Sequence, residues 1–274
     1  MKVLKNYIHI GIDAPFSVIH ASDTHISFAD NRDDERKLSL SERRTESFGN
    51  AYENLMYIKK KALSENKTII YTGDLLDFVS ELNLDKAKEF TDSVDCFMAA
   101  GNHEFSLYLG EEKEDAEYRN KSLKKVQSCF KNDIRFSSRE ISGVLFVALD
   151  NSYYLIDEEQ FSFLKKECNR GLPVVLCMHT PLYTREFYDY SREGEPVPAY
   201  LMCVPDELMQ DYPEDRYEQQ KCDELTQQAY DYIYNSDVIK ALITGHIHKD
   251  FEGYVNDKLQ IATDIATLRE IYFD

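Results

Sequence analysis

Phe16-Ser17-Val18-Ile19-His20-Ala21 is a mostly apolar run, rich in β-branched residues, that stops abruptly at Ser22-Asp23-Thr24-His25. A short apolar run of this kind, bounded by polar residues, reads as a buried strand. The same pattern recurs four times. The run 68–71 ends at Thr72-Gly73-Asp74, and 96–100 ends at Gly101-Asn102-His103-Glu104. The run 173–178 ends at His179-Thr180-Pro181, and 238–243 ends at Thr244-Gly245-His246-Ile247-His248.

Between these runs lie helical patterns. Residues 44–65 place Phe48, Ala51, Tyr52, Leu55, Ile58 and Ala62 at helical spacing, and 86–93, 116–130, 158–170 and 223–235 read similarly. Alternating strands and helices imply a layered α/β fold. In open α/β sheets the ligand sits beyond the carboxyl ends of the strands, where the five polar clusters would converge. After His248 the runs 251–255, 259–262 and 268–273 read as strands that finish a second sheet. No repeat, Pro/Gly linker or low-complexity tract divides the chain, so residues 1–274 are expected to form a single domain.

Two stretches look added to that core. Residues 27–44 are charged and polar and follow the first cluster directly. Residues 184–222 carry ten Asp/Glu against four Lys/Arg and are rich in tyrosine. Tyr183 just before it and Phe187, Tyr188, Tyr190 and Tyr200 within it could stack against a substrate base, or could pack a capping loop onto the core.

Composition narrows the functions. With 43% hydrophobic and 30% charged residues the chain is an ordinary globular protein. Its net charge of −18 counts against nucleic acid as a partner, because duplex binding rests largely on Lys and Arg neutralising phosphates. The first twelve residues lack the h-region of a signal peptide, and no stretch is long and apolar enough to span a bilayer. The six cysteines show no regular spacing and read as free thiols of a reducing compartment. A cytoplasmic protein without a membrane partner is expected. Its oligomeric state is not legible.

Taken singly, each polar cluster could be an ordinary turn. Taken together they are selective: of seven histidines, His25, His103, His179, His246 and His248 all fall at expected strand ends. Imidazoles mixed with carboxylates suit Mn²⁺, Fe or Zn²⁺, whereas an all-oxygen set would suit Mg²⁺ or Ca²⁺. His9 and His20 lie within apolar runs and read as structural.

In order, the blocks Asp-x-His, Gly-Asp-x-x-Asp, Gly-Asn-His-Glu, His and Gly-His-x-His resemble the calcineurin-like metallophosphoesterase superfamily over Asp23 to His248. The resemblance implies two packed mixed β-sheets flanked by helices, a four-layer sandwich. It implies two divalent cations: one held by Asp23, His25 and His248, the other by Asn102, His179 and His246, with Asp74 bridging them. A bridging hydroxide would attack phosphorus. His103 would not be a ligand but a catalytic residue facing the substrate, and Asp77 would hold it. Glu104 either orients a neighbour or faces solvent. Protein phosphatases similar to this pattern carry Arg after the second Asp of the Gly-Asp block, where this chain has Phe78. His179-Thr180-Pro181 resembles the phosphodiesterase-like branches instead, so the substrate expected is a small phosphodiester or phosphomonoester. A nuclease of the same superfamily is one alternative, weakened by the acidic charge. A non-catalytic metal-binding scaffold is another, weakened by the intact set of blocks.

Overall fold

Side chains alternate along a strand, so each buried run offers one face to each of two cores. The computed structural model describes residues 1–109, 115–194 and 198–274, and there the strands form two sheets. The first is ordered β1 (Lys2–Ile8), β11 (Thr267–Phe273), β2 (Phe16–Ala21), β3 (Ile69–Thr72), β4 (Cys96–Ala99). The second is ordered β5 (Phe136–Ile141), β6 (Val144–Leu149), β7 (Val174–Met178), β8 (Ile239–Thr244), β10 (Lys258–Ala262), β9 (Phe251–Val255). Both are mixed. β2, β3 and β4 run parallel, as do β6, β7, β8 and β10, while β5 and β9 pair antiparallel at the edges of the second sheet.

Four layers follow from the alternation. Val18, Ile70 and Phe97 of the first sheet meet Phe146, Val175 and Ile243 of the second in the central core. The opposite face of the first sheet, including Ile19, Tyr71 and Met98, packs on α2 (Ala51–Glu65), α3 (Glu81–Ser93) and α4 (Ala116–Gln127). The outer face of the second, including Val147, Leu176 and Leu242, packs on α5 (Glu158–Cys168) and α8 (Glu224–Asn235).

Three details depart from the sequence reading. The pattern over 44–65 is two helices, α1 (Glu35–Ser47) and α2, broken at Phe48-Gly49-Asn50. Much of the polar stretch 27–44 is therefore helix. Its periodicity is faint because Leu40 is the one buried residue of α1; Ser41 Oγ donating to the Ser27 carbonyl at 2.6 Å helps dock it. The run 268–273 does not finish the second sheet. It is β11, inserted in the first sheet parallel to β1 and antiparallel to β2. The buried guanidinium of its Arg269 donates to Asn6 Oδ1 at 2.9 Å in the first sheet and to the Ala262 carbonyl at 3.0 Å in the second. The β5–β6 hairpin is a further feature that the sequence reading does not include. Its two-residue turn, Ser142-Gly143, takes φ of 50° and 81°, the left-handed pair that matches strand twist.

The acidic insertion 184–222, of which 195–197 lie outside the described residues, contains α6 (Arg185–Ser191) and α7 (Glu214–Gln220). Phe187 stacks on Phe251 with ring centres 3.8 Å apart, Tyr188 donates to the Leu208 carbonyl and Tyr190 to that of Asp250. Phe187 and Tyr190 thus pack the insertion onto β9, Tyr188 bonds within it, and Tyr200 stands edge-on to His246 with ring centres 6.0 Å apart. His9 lies just past β1, exposed at the carboxylate of Asp274. The six cysteines form no disulfide. Among the described residues no helix is long and apolar enough to cross a membrane.

Phe146 is fully buried between the sheets, edge-on to Phe273 at 5.6 Å. Phe146→Ala is expected to destabilise the fold by about 3–5 kcal/mol. A urea midpoint unchanged from wild type would show that this layer does not hold the sheets together.

Candidate functional site

The expected residues meet at one edge, past the carboxyl ends of β2, β3, β4, β7 and β8. His25 Nε2 lies 2.9 Å from His248 Nε2, 3.8 Å from Asp23 Oδ1 and 3.6 Å from Asp74 Oδ2. His179 Nε2 lies 3.1 Å from Asp74 Oδ2 and 3.0 Å from His246 Nδ1. Among the described residues three groups of donor atoms result, Asp23/His25/His248, His25/Asp74/His103 and Asp74/His179/His246, the atoms of each within 4.8 Å of one another. Asp74 Oδ2 faces both His25 and His179. Asn102 sits at the same edge, directly after Gly101, and is nearly buried.

Asp23 and His25 do not share a side through strand alternation, as the Asp-x-His spacing suggests. Both turn into left-handed backbone, with φ of 55° and 49°. Asp74 (54°), His246 (73°) and His248 (49°) do the same. Asp and His enter this region more readily than bulky residues, yet five such positions in one site cost of order 1–3 kcal/mol each. Surrounding hydrogen bonds hold them there.

Glu104 is the first of these anchors. It is buried, and its carboxylate accepts from the backbone N–H groups of Asp74 (2.7 Å), Leu75 (2.8 Å), Leu76 (3.1 Å) and Gly101 (2.8 Å). Burial and the adjacent Asp74 push its pKa up to about 7, but four converging donors leave no acceptor for a carboxylic proton and favour the anion. It orients two loops and does not face solvent. The loops touch so closely that a Cβ on Gly101 would lie 2.2 Å from Asp74 Oδ1 and 2.6 Å from its backbone nitrogen.

The imidazoles are anchored through their outward nitrogens. His179 Nδ1 donates to the Thr72 carbonyl at 2.6 Å, which leaves Nε2 facing Asp74. His25 Nδ1 meets Asp77 Oδ1 at 3.0 Å, and His246 Nε2 meets the Tyr154 hydroxyl at 2.8 Å. His103 Nδ1 donates to the Asp77 carbonyl at 2.8 Å and lies 3.2 Å from that residue's Oδ1. Asp77 thus contacts both His103 and His25. Asn151, which the sequence reading passed over, accepts the backbone N–H groups of His179 (3.1 Å) and Thr180 (3.0 Å). Its signal was present: Val144–Leu149 is another apolar run that stops at a polar pair, Asp150-Asn151.

Burial disfavours charged imidazoles, but carboxylates outweigh it at His103, raised to about 10 by Asp74 and Asp77, and at His179, raised to about 9 by Asp74 and Asp23. His246, buried beside His179, falls to about 3. The pocket therefore carries excess negative charge that recruits protons or cations. Convergent imidazole lone pairs plus carboxylate oxygens make a donor set that fits borderline divalent cations. The side chains of His103 and His248, 19% and 37% exposed, lie on the open side.

Gly101→Ala forces Asp74 and its loop to move. It is expected to destabilise the protein by about 1–3 kcal/mol and to weaken Mn²⁺ binding roughly tenfold or more. Thermal melts and a Mn²⁺ titration check this, and wild-type values in both would refute the tight loop contact.

No curated protein sequence matches the chain. Among solved structures, a dimetal phosphatase from Danio rerio superposes with a TM-score of 0.53 at 13% identity, covering 91% of this chain and 87% of that one. The calcineurin-like phosphoesterase YfkN from Bacillus subtilis gives 0.43 at 13%, covering 91% and 81%. A structure described as a putative 5′-nucleotidase from Staphylococcus aureus gives 0.46 at 13%, covering 92% of this chain, which spans about half (49%) of that longer one. The family model described as calcineurin-like phosphoesterase matches residues 16–250, from β2 to just past the last histidine of the cluster. With the two mixed sheets and the clustered Asp and His side chains in place, this chain belongs to the calcineurin-like phosphoesterase family.

Proposed function

We propose that the protein hydrolyses a small phosphodiester or phosphomonoester with two divalent cations, Mn²⁺, Fe or Zn²⁺. The observation that carries this reading is the Asp74 carboxylate facing His25 at 3.6 Å and His179 at 3.1 Å, one from each of two histidine-carboxylate clusters, with His103 beside it. Asp23, His25 and His248 would hold one cation, and Asn102, His179 and His246 the other, with Asp74 between. Bound there, the cations supply Lewis-acid activation of water and of phosphoryl oxygens.

The chain's own groups do the rest. His103 stands on the open side, and its Nδ1 is committed to the Asp77 carbonyl. Nε2 is left to donate to a phosphoryl oxygen or to the leaving oxygen. Asp77 keeps that ring oriented. The backbone N–H of His103 also donates to Asp74 Oδ1 at 2.9 Å, so the shared carboxylate and the proton donor are positioned by one turn. A net charge of −18 favours a small substrate over a polyanion, and the residues from 1 to 274 would act as one catalytic unit of a cytoplasmic protein.

The test is a panel of bis(p-nitrophenyl) phosphate, p-nitrophenyl phosphate and cyclic nucleotides, on metal-stripped protein with each cation added back. His103→Ala is expected to keep two bound metals and lose about 10²–10⁴-fold in kcat. Asp74→Ala is expected to lose metal occupancy as well as activity. The reverse pattern, with metal lost from His103→Ala and kept by Asp74→Ala, would overturn the assignment of roles.

A further inference from the structure

Arg44 belongs to none of the sequence blocks. It lies near the end of α1, in the polar stretch that follows the first block. Its guanidinium reaches the buried Asp77 side chain with both donors of its fork, Nε to Oδ2 at 2.6 Å and Nη2 to Oδ1 at 2.7 Å. The same Oδ1 receives His25 Nδ1 at 3.0 Å and stands 3.2 Å from His103 Nδ1. One carboxylate therefore orients a cation-facing imidazole and the substrate-facing one, and a single guanidinium fixes that carboxylate. Phe48, one turn further along, stacks flat on His25 with ring centres 4.5 Å apart and planes 6° from parallel. The Arg44 guanidinium lies over the other partner of this stack, 4.7 Å from the Phe48 ring centre.

α1 has its own means of staying docked. Ser41 binds the Ser27 carbonyl, Asp34 caps the helix by accepting from the Lys37 N–H, and Asp33 accepts the N–H of Glu81 at the start of α3. The arginine is thus delivered by a helix tied to the protein just before its start, through Asp33, and along its middle, through Ser41. The position after Asp77 is Phe78, fully buried, so no neighbour in the chain could serve that carboxylate with a cation.

We infer that Arg44 is a positioning residue of this centre: its bidentate grip on Asp77 sets the orientation of both His25 and His103, and α1 is part of the site. Because this deepens the proposed hydrolysis and rests on it, the experiment reads the arginine in two ways that do not need turnover. Arg44→Ala and Arg44→Lys are compared with wild type in full-length protein. Lys retains the charge but not the fork, and guards against an Ala variant that fails to fold.

Metal affinity is read by Mn²⁺ competition with a fluorescent chelator, and imidazole orientation by ¹⁵N-histidine NMR of the metal-stripped protein. Expected are a loss of about 10–100-fold in affinity for the more weakly held cation in both variants, and altered His25 and His103 ring signals. In turnover, kcat is expected to fall with KM little changed, and millimolar guanidinium ion to restore part of the loss in Arg44→Ala but none in Arg44→Lys. Wild-type affinity and ring signals in either variant would overturn the inference, as would a rise in KM alone, which marks a substrate contact. If wild type cleaves no ester, the proposed hydrolysis fails, while affinity and ring signals still decide for or against Arg44.

Discussion

Four carboxylates, those of Asp23, Asp74, Asp77 and Glu104, are buried at one edge of the molecule, and the rest of the local structure answers to that. A buried anion without partners costs several kcal/mol, so each must find donors or lose its charge. Backbone N–H groups serve three of them, and side chains serve Asp77. Glu104 takes four backbone N–H groups, Asp77 a guanidinium and two imidazoles, Asp23 the His246 N–H at 3.0 Å, and Asp74 the His103 N–H. What remains uncompensated is concentrated on the facing oxygens of Asp23 and Asp74, where His25, His179 and His248 converge.

That arrangement also explains the backbone. Left-handed turns at Asp23, His25, Asp74, His246 and His248 are unfavourable individually, and persist because both sheets brace them. His179 of β7's end binds the Thr72 carbonyl at the end of β3, and the Gly245 N–H donates to the His179 carbonyl. The site is thus the seam between the sheets, and the central core of Val18, Phe97, Phe146 and Ile243 sets its width.

The layered fold was legible because buried strands and amphipathic helices differ in period and because each apolar run ends at a polar cluster. β11 was misplaced for a physical reason: an apolar run announces that it is buried, not beside which strand. Its partners β1 and β2 lie at the far end of the chain, and their choice depends on pairing and on Arg269 bridging both sheets. α1 was hidden because one buried leucine leaves almost no helical signature.

By itself the sequence determined the α/β alternation, the five strand-end clusters and the residue types gathered there, since those depend on local periodicity and on side-chain chemistry. Tertiary structure alone decided which groups hold the cluster in place. Arg44 meets Asp77 across 33 residues, and Tyr154 meets His246 across 92. Glu104 turned inward to backbone donors from a neighbouring loop. Such contacts join groups that no spacing relates, and they exist only once two sheets have closed on a common core.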